Sequence, residues 1–421
     1  MNQSKLVDRW LAPEIVRLVS GVCLVTFLLV AIIMFVPNSR GNTAFDTTRG
    51  ADYGEFYVVG MMLNEGQADR LYDLGYQDER LHQLLPSLAT TEHLPFVYPP
   101  FLALLFRPLA YLPFVWSFAT WVALVAATYS LAVALTLRSY GSFDSSMTRT
   151  AWLVALSFQP FAIECCLGGQ ISTLGCLVVA IALFLRRKGL DFSVGLALSL
   201  LLYKPTLLLL IIPMLCVGRC WRTLGGFATG ALGLGGISWL VAGTSGCLDS
   251  LGLMIGYGRL GGSVGQGFKT IKYIDLTAML TLLGFSRSIA RLLAIGVGLP
   301  ALLALMGSWA RDRGRVGDLT WSATLCFTPI LNLYAPVYDV VLIVPGLLLA
   351  TDSLPRTESG NLPGKYRWLL ALVYLSSLVS QPSAIKLGFQ PLTVALATMG
   401  SYFWLLSMAL SRKKDSPDHG A

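Results

Sequence analysis

The chain has 421 residues, of which 55% are hydrophobic and only 13% charged, with a mean hydropathy of +0.65. Soluble domains carry about 25% charged residues, so a chain this apolar lacks the polar surface to dissolve and reads as a polytopic membrane protein. The net charge of +8 is not a nucleic-acid footprint. Much of the basic excess sits beside apolar runs, in Arg186-Arg187-Lys188, Arg219 with Arg222, Arg311 to Arg315 and Arg412-Lys413-Lys414, as cytoplasmic loops of membrane proteins do.

Residues 1–17 are short and mixed, and the apolar run Leu18–Val36 that follows is long enough to span. An uncleaved first helix with its N-terminus in the cytoplasm is the expectation. A cleaved signal peptide is the competing reading, against which stand the length of the run and the lack of a small-residue cleavage site near Val36. The next stretch, 37–100, is then external. It is polar and acidic, with nine Asp and Glu against four Arg. Within it Tyr53, Phe56, Tyr57, Gly60 and Met61 recur at helical spacing, predicting an amphipathic helix near the membrane surface that starts at Asp52 and ends at Asn64-Glu65-Gly66. A carboxylate at a helix start favours the dipole.

Further along, 96–112 is apolar but interrupted by Arg107-Pro108, and 114–137 is a clear span. The run 151–163 ends in Glu164, and 171–185 leads to the Arg186 cluster. Lys204-Pro205 interrupts 192–217, and 224–241 is Gly-rich, which suits close helix packing. Residues 244–275 form a second polar stretch, followed by apolar runs near 276–284, 288–308, 319–331, 339–350, 368–380 and 391–410. The expected fold is all-α and polytopic, roughly 11 to 13 transmembrane helices in one membrane domain over 1–421, with outer loops at 37–100 and 244–275 and a cytoplasmic tail at 411–421. Placing the basic clusters inside puts Gly168–Gln170, Lys204-Pro205, 332–339 and 381–390 on the same side as 37–100, provided that 96–112 does not cross.

Charged and amide groups at the membrane edge are costly unless they serve a function. Lys204 precedes a helix-breaking proline, and a cation there suits a phosphate. Nearby acids suit sugar hydroxyls. A lipid-phosphate-linked sugar presents both features at that depth. The cysteines lie mostly in apolar runs and show neither a disulfide framework nor a zinc spacing. There is no Asp-x-Asp, and no cofactor is expected; a divalent metal is possible without being indicated.

Asp52-Tyr53-Gly54-Glu55-Phe56-Tyr57 with Gly60, then Tyr72-Asp73, then Phe96 to Phe101 with Pro108-Leu109, then Gly169-Gln170, Tyr203-Lys204-Pro205, and Tyr334 with Tyr338-Asp339 form an ordered set that resembles glycosyltransferase family 87. The resemblance implies a C-type glycosyltransferase fold and a bacterial cytoplasmic-membrane location. It implies α-mannosyl transfer at the outer face from a polyprenyl-phosphate-linked sugar to a lipid or glycan acceptor. It carries the role of base onto Asp52, with Glu55 as the rival. Tyr57, His93, Tyr98, Gln170, Lys204, Tyr338 and Asp339 are the expected substrate-binding residues, with Arg259 or Lys269 as possible aids to Lys204. One base and no carboxylate nucleophile implies an inverting transfer, by analogy with glycoside hydrolysis. A lipid or oligosaccharide flippase is the alternative class; it would show inverted internal repeats, and none is evident. An O-antigen polymerase or ligase would carry its large outer loop late in the chain.

Overall fold

The computed structural model describes residues 11–36, 50–86, 95–139, 143–260, 270–357 and 362–415. Among these the regular structure is helical, apart from one isolated antiparallel bridge between Tyr273 and Pro336.

Helix α1 (Pro13–Phe35) opens with a proline at its first turn, where the missing N–H costs nothing. Its surface is largely exposed apolar side chains, Leu18, Val22, Val25 and Ile32 among them, as a lipid-facing helix requires. Helix α2 (Ala51–Asn64) starts after Gly50, whose φ of 63° turns the chain into it. Tyr53, Phe56, Val58, Val59 and Met62 are all buried. The surface-lying amphipathic helix expected here is therefore corrected. The helical spacing holds, but α3 (Leu74–Leu84) and α4 (Pro100–Phe106) pack over it, and an aromatic cluster of Phe96, Phe106, Phe118 and Trp121 closes around it.

Arg107-Pro108 ends α4 after seven residues, about 10 Å of helix and too short to cross a bilayer. α5 (Phe114–Ser139) is long and apolar enough to span. α6 (Ser145–Leu156) runs into a π-helical segment, Pro160–Leu167, bent 48° from it. α7 (Ser172–Arg187) and α8 (Asp191–Ser199) follow. The chain then passes through two 3₁₀ turns, Leu200–Tyr203 and Pro205–Leu208, on either side of Lys204, before α9 (Ile211–Val217). α10 (Trp221–Leu260) is broken at Gly243. Its first half lies against α8 at a separation that tolerates no side chain at the crossing. A Cβ on Gly226 would stand 1.9 Å from the Phe192 carbonyl oxygen, and one on Gly195 1.8 Å from that of Thr223.

Within the second polar stretch expected at 244–275, α10 remains helical through Leu260. The chain continues with α11 (Leu276–Leu282), α12 (Arg287–Asp312), α13 (Asp318–Ile330), a 3₁₀ segment Val337–Leu342, α14 (Ile343–Ser353), α15 (Gly364–Leu387) and α16 (Pro391–Asp415). The expected tail at 411–421 likewise begins as helix up to Asp415.

Among the described residues six helices are long and apolar enough to cross a membrane, or seven with the bent α6 pair counted as one span. Against the 11 to 13 spans expected from hydropathy, several apolar runs are cut into shorter helices. Lys204-Pro205 splits one into short pieces, and Arg107-Pro108 stops another. These fragments are nevertheless apolar, because they are buried inside the bundle: Leu201, Ile211, Ala323, Val341 and Leu349 are fully enclosed.

The bundle has two distinct ends. Ser172, at the start of α7, hydrogen-bonds Asp339, whereas Arg186, near its end, pairs with Asp318 at the start of α13. Fourteen residues of helix separate those two positions, about 21 Å.

Candidate active site

Most of the polar groups expected to act together meet at the Ser172 end. Asp52 is the second residue of α2, and Gln170 donates its amide Nε2 to Asp52 Oδ2 at 2.9 Å. Gln170 is held there by the turn before α7. Gly169 takes φ +78°, and a Cβ on it would meet Tyr53 Cβ at 3.0 Å and the Phe118 ring at 3.1 Å. Its carbonyl accepts from Trp121 Nε1 at 2.8 Å. The Gly-Gln pair is thus locked against α2 and α5, and the amide oxygen of Gln170 is buried without a hydrogen-bond partner.

Glu55 stands one turn after Asp52 on the same face of α2. Burial, and next the Asp52 carboxylate, push the Glu55 carboxyl well above its usual range; the Lys204 ammonium pulls the other way but does not prevail. That three-way influence places Asp52, Glu55 and Lys204 in one electrostatic neighbourhood.

Lys204 sits at the break between the two 3₁₀ turns, in extended backbone (φ −138°, ψ 81°) imposed by the following proline. Its Nζ lies 2.6 Å from Asp339 Oδ2, and Ser172 Oγ donates to Asp339 Oδ1 at 2.7 Å. The pair is enclosed, with Lys204 6% and Asp339 1% exposed. Nζ also lies 4.7 Å from the centre of the Tyr338 ring, within cation–π range. Asp339 is in the first turn of its 3₁₀ segment, where a carboxylate is favoured by the free N–H groups.

Glu164 adds a further carboxylate. Its Oε1 accepts from Gln381 at 2.6 Å and Gln159 at 3.2 Å, and it lies within electrostatic reach of Asp52 and Lys272. It is carried by the π-helical segment, a geometry that recurs at functional sites. Asp275 is structural: it caps α11 through Ala278 N at 2.9 Å and accepts Ala335 N at 3.1 Å, tying α11 to the strap that carries Tyr338-Asp339. Burial raises its carboxyl to about 6.

Asp52, Glu55, Gln170, Lys204, Tyr338 and Asp339 therefore converge. Tyr57 and Tyr98 are placed differently. The Tyr57 hydroxyl donates to the Leu112 carbonyl at 2.9 Å, and the Tyr98 ring packs 5.4 Å from that of Phe56 while its carbonyl accepts from the Tyr72 hydroxyl. Tyr57 thus ties α2 to the segment before α5, and Tyr98 packs on α2 from the aromatic cluster. His93, Lys269 and the Arg259 side chain lie outside the described residues. Ser172, Gln159 and Gln381 gave no local signal in sequence, and Glu164 was visible only as a carboxylate interrupting an apolar run. Among the described residues no group of three or more His, Cys, Asp or Glu side chains is arranged to hold a metal ion.

The arrangement offers a carboxylate anchored by an amide, a second carboxyl that favours its proton, and a buried lysine with donor capacity beyond its ion pair. The chain is 27% identical over 376 residues to the polyprenol-phosphate-mannose-dependent alpha-(1-2)-phosphatidylinositol pentamannoside mannosyltransferase of Mycolicibacterium smegmatis, covering 85% of this chain and 84% of that protein. No solved structure matches it. Residues 96–332, more than half of the sequence and including Gln170 and Lys204, match the profile of glycosyltransferase family 87. The chain belongs to that family and is a multi-pass membrane glycosyltransferase.

Proposed function

We propose that the protein transfers a mannosyl group from a polyprenyl-phosphate-mannose donor to a hydroxyl of a lipid or glycan acceptor, with inversion, at the outer face of the bacterial cytoplasmic membrane. The donor class rests on the similarity to the mycobacterial enzyme named above. The observation that carries the chemistry is the meeting of Asp52, fixed by Gln170, with the Lys204–Asp339 pair at one end of the bundle.

In this reading the acceptor oxygen attacks the anomeric carbon and its proton passes to Asp52. The bond from that carbon to the phosphate oxygen breaks, and the polyprenyl phosphate leaves as an anion that needs charge stabilisation more than a proton. An ammonium has three donors, and Asp339 occupies one of those on Lys204; the others serve the phosphate oxygens. Glu55, which favours its protonated form, is a poorer base and a better donor to a sugar oxygen.

The test is sugar transfer by the purified protein with polyprenyl-phosphate-mannose and a panel of mannosylated glycolipid acceptors. Asp52→Asn is expected to lower turnover by roughly 10²–10⁴, the usual contribution of a general base, and Glu55→Gln by much less. Equal transfer by wild type and Asp52→Asn would overturn the assignment of the base. Movement of the lipid across the membrane without sugar transfer would overturn the enzymatic reading.

A further inference from the structure

At the other end of the bundle from Asp52 lies a cavity of about 450 Å³ that the transfer chemistry does not use. Its polar lining comes from Arg186, Asp191, Arg219, Arg222 and Thr223, with Trp221 at its edge. The cavity forms where the ends of α7 and α9, the starts of α8 and α10, and the link between α12 and α13 meet, the last joined to α9 by Gly314 N donating to the Gly218 carbonyl at 2.7 Å.

Several features point to an anionic ligand. Arg186 is fixed by Asp318 at 2.6 Å and by the Val316 carbonyl, so its charge is already offset. Arg219 and Arg222 are exposed and form no ion pair among the described residues, and counted against the Asp191 carboxylate of the same lining they leave a net positive charge. The first turn of α10 begins at Trp221; Trp221 N donates to the Arg219 carbonyl and Leu224 N to that of Cys220, and the N–H groups of Arg222 and Thr223 between them are left without a backbone acceptor among the described residues and favour an anion.

The surroundings select the source of the anion. Leu190, Phe192 and Trp221 beside the cavity are about half exposed or more, at 50%, 47% and 65%. They form an apolar face with an aromatic at its edge, as at a headgroup boundary. The cavity is also about 21 Å along α7 from the Asp339 end, a separation on the scale of a bilayer core. We infer that this cavity binds the phosphodiester headgroup of a monoanionic glycerophospholipid from the leaflet facing away from the Asp52 site, with Arg219 and Arg222 on the phosphate and the acyl chains along the Leu190–Phe192 face.

Native mass spectrometry of the full-length detergent-solubilised protein, titrated with dioleoylphosphatidylglycerol, tests this. Wild type is expected to retain one lipid more tightly than it retains dioleoylphosphatidylcholine. The double variant Arg219→Gly/Arg222→Gln is expected to bind it about thirtyfold more weakly, the effect of removing two basic groups near a membrane surface. Glycine suits the backbone at position 219, where φ is +55°, so the variant should fold, and an unchanged thermal midpoint without lipid checks that. Arg219→Lys/Arg222→Lys should restore most of the binding. Equal retention of the two lipids, or undiminished phosphatidylglycerol binding by the double variant, would overturn the site. Displacement of the lipid by an equal concentration of glycerol phosphate or inorganic phosphate would overturn the lipid as its ligand in favour of a free phosphate.

Discussion

Asp339→Asn is the sharpest perturbation of the core of this protein. The asparagine keeps the shape and can still accept from Ser172, which now lies 2.7 Å from Asp339 Oδ1. It removes the charge that faces Lys204 Nζ at 2.6 Å. Lys204 is 6% exposed, so its ammonium cannot turn to bulk water and keeps the Tyr338 ring, 4.7 Å away, and the longer-range pull of the Glu55 carboxyl. Breaking one side of a buried pair costs about 3–5 kcal/mol, because an uncompensated charge remains. Lys204→Met should cost a similar amount for the mirror reason. Removing both charges together, in Lys204→Met/Asp339→Asn, leaves no orphan and should recover most of the loss, since apolar replacement of a buried pair is often close to neutral. The double-mutant cycle should therefore show a coupling of at least about 2 kcal/mol. The assay is unfolding of the three variants and wild type in detergent, followed by tryptophan fluorescence. Single losses below about 1 kcal/mol that simply add in the double variant would refute the account of Lys204 and Asp339 as a closed pair.

Two further outcomes are expected. Gly169→Ala forces a Cβ into left-handed backbone and to within 3.0 Å of Tyr53 Cβ; strain and overpacking together should cost about 2–5 kcal/mol, and displacement of Gln170 should slow sugar transfer. An unchanged unfolding midpoint would contradict the locked turn. For Asp275, burial raises the carboxyl from 3.8 to about 6 in the folded protein. The folded state then holds the proton more tightly than the unfolded chain, so this stability is fully present below about pH 3.8 and is lost as pH rises to about 6, roughly 3 kcal/mol in all. Asp275→Asn, which preserves a capping side chain, should flatten that part of a stability–pH curve measured by thermal unfolding, and an identical slope in both proteins would reject it.

Parts of the site were legible in the sequence because their signal is local. The helical recurrence of Tyr53, Phe56 and Tyr57 located α2, and a carboxylate pair one turn apart, Asp52 and Glu55, follows from the same spacing. Lys204-Pro205 announced a break in an apolar run, and the break is there. Other parts had no local signal. Tyr57 and Tyr98 have the residue type of a substrate contact, but their hydroxyl and ring contacts to Leu112 and Phe56 lie far off in the chain and no spacing announces them. Gln381 reaches Glu164 from 217 residues away, and no spacing rule connects a glutamine near a helix end with a carboxylate in a π-helical segment.

By itself the sequence determined the class of the protein. Its apolar excess and the basic clusters beside apolar runs fix a multi-pass membrane protein, because hydropathy and local helix geometry act through neighbours in the chain, while the glycosyltransferase activity came from the resemblance of its ordered motifs to glycosyltransferase family 87. Only the tertiary structure decided which apolar runs form helices long enough to cross and which are cut into short pieces, since burial in a bundle and exposure to lipid favour the same residues. It alone also joined Asp52 to Gln170 across 118 residues and Lys204 to Asp339 across 135. A buried charge must find its partner in space, and the chain brings the two together only when the bundle closes.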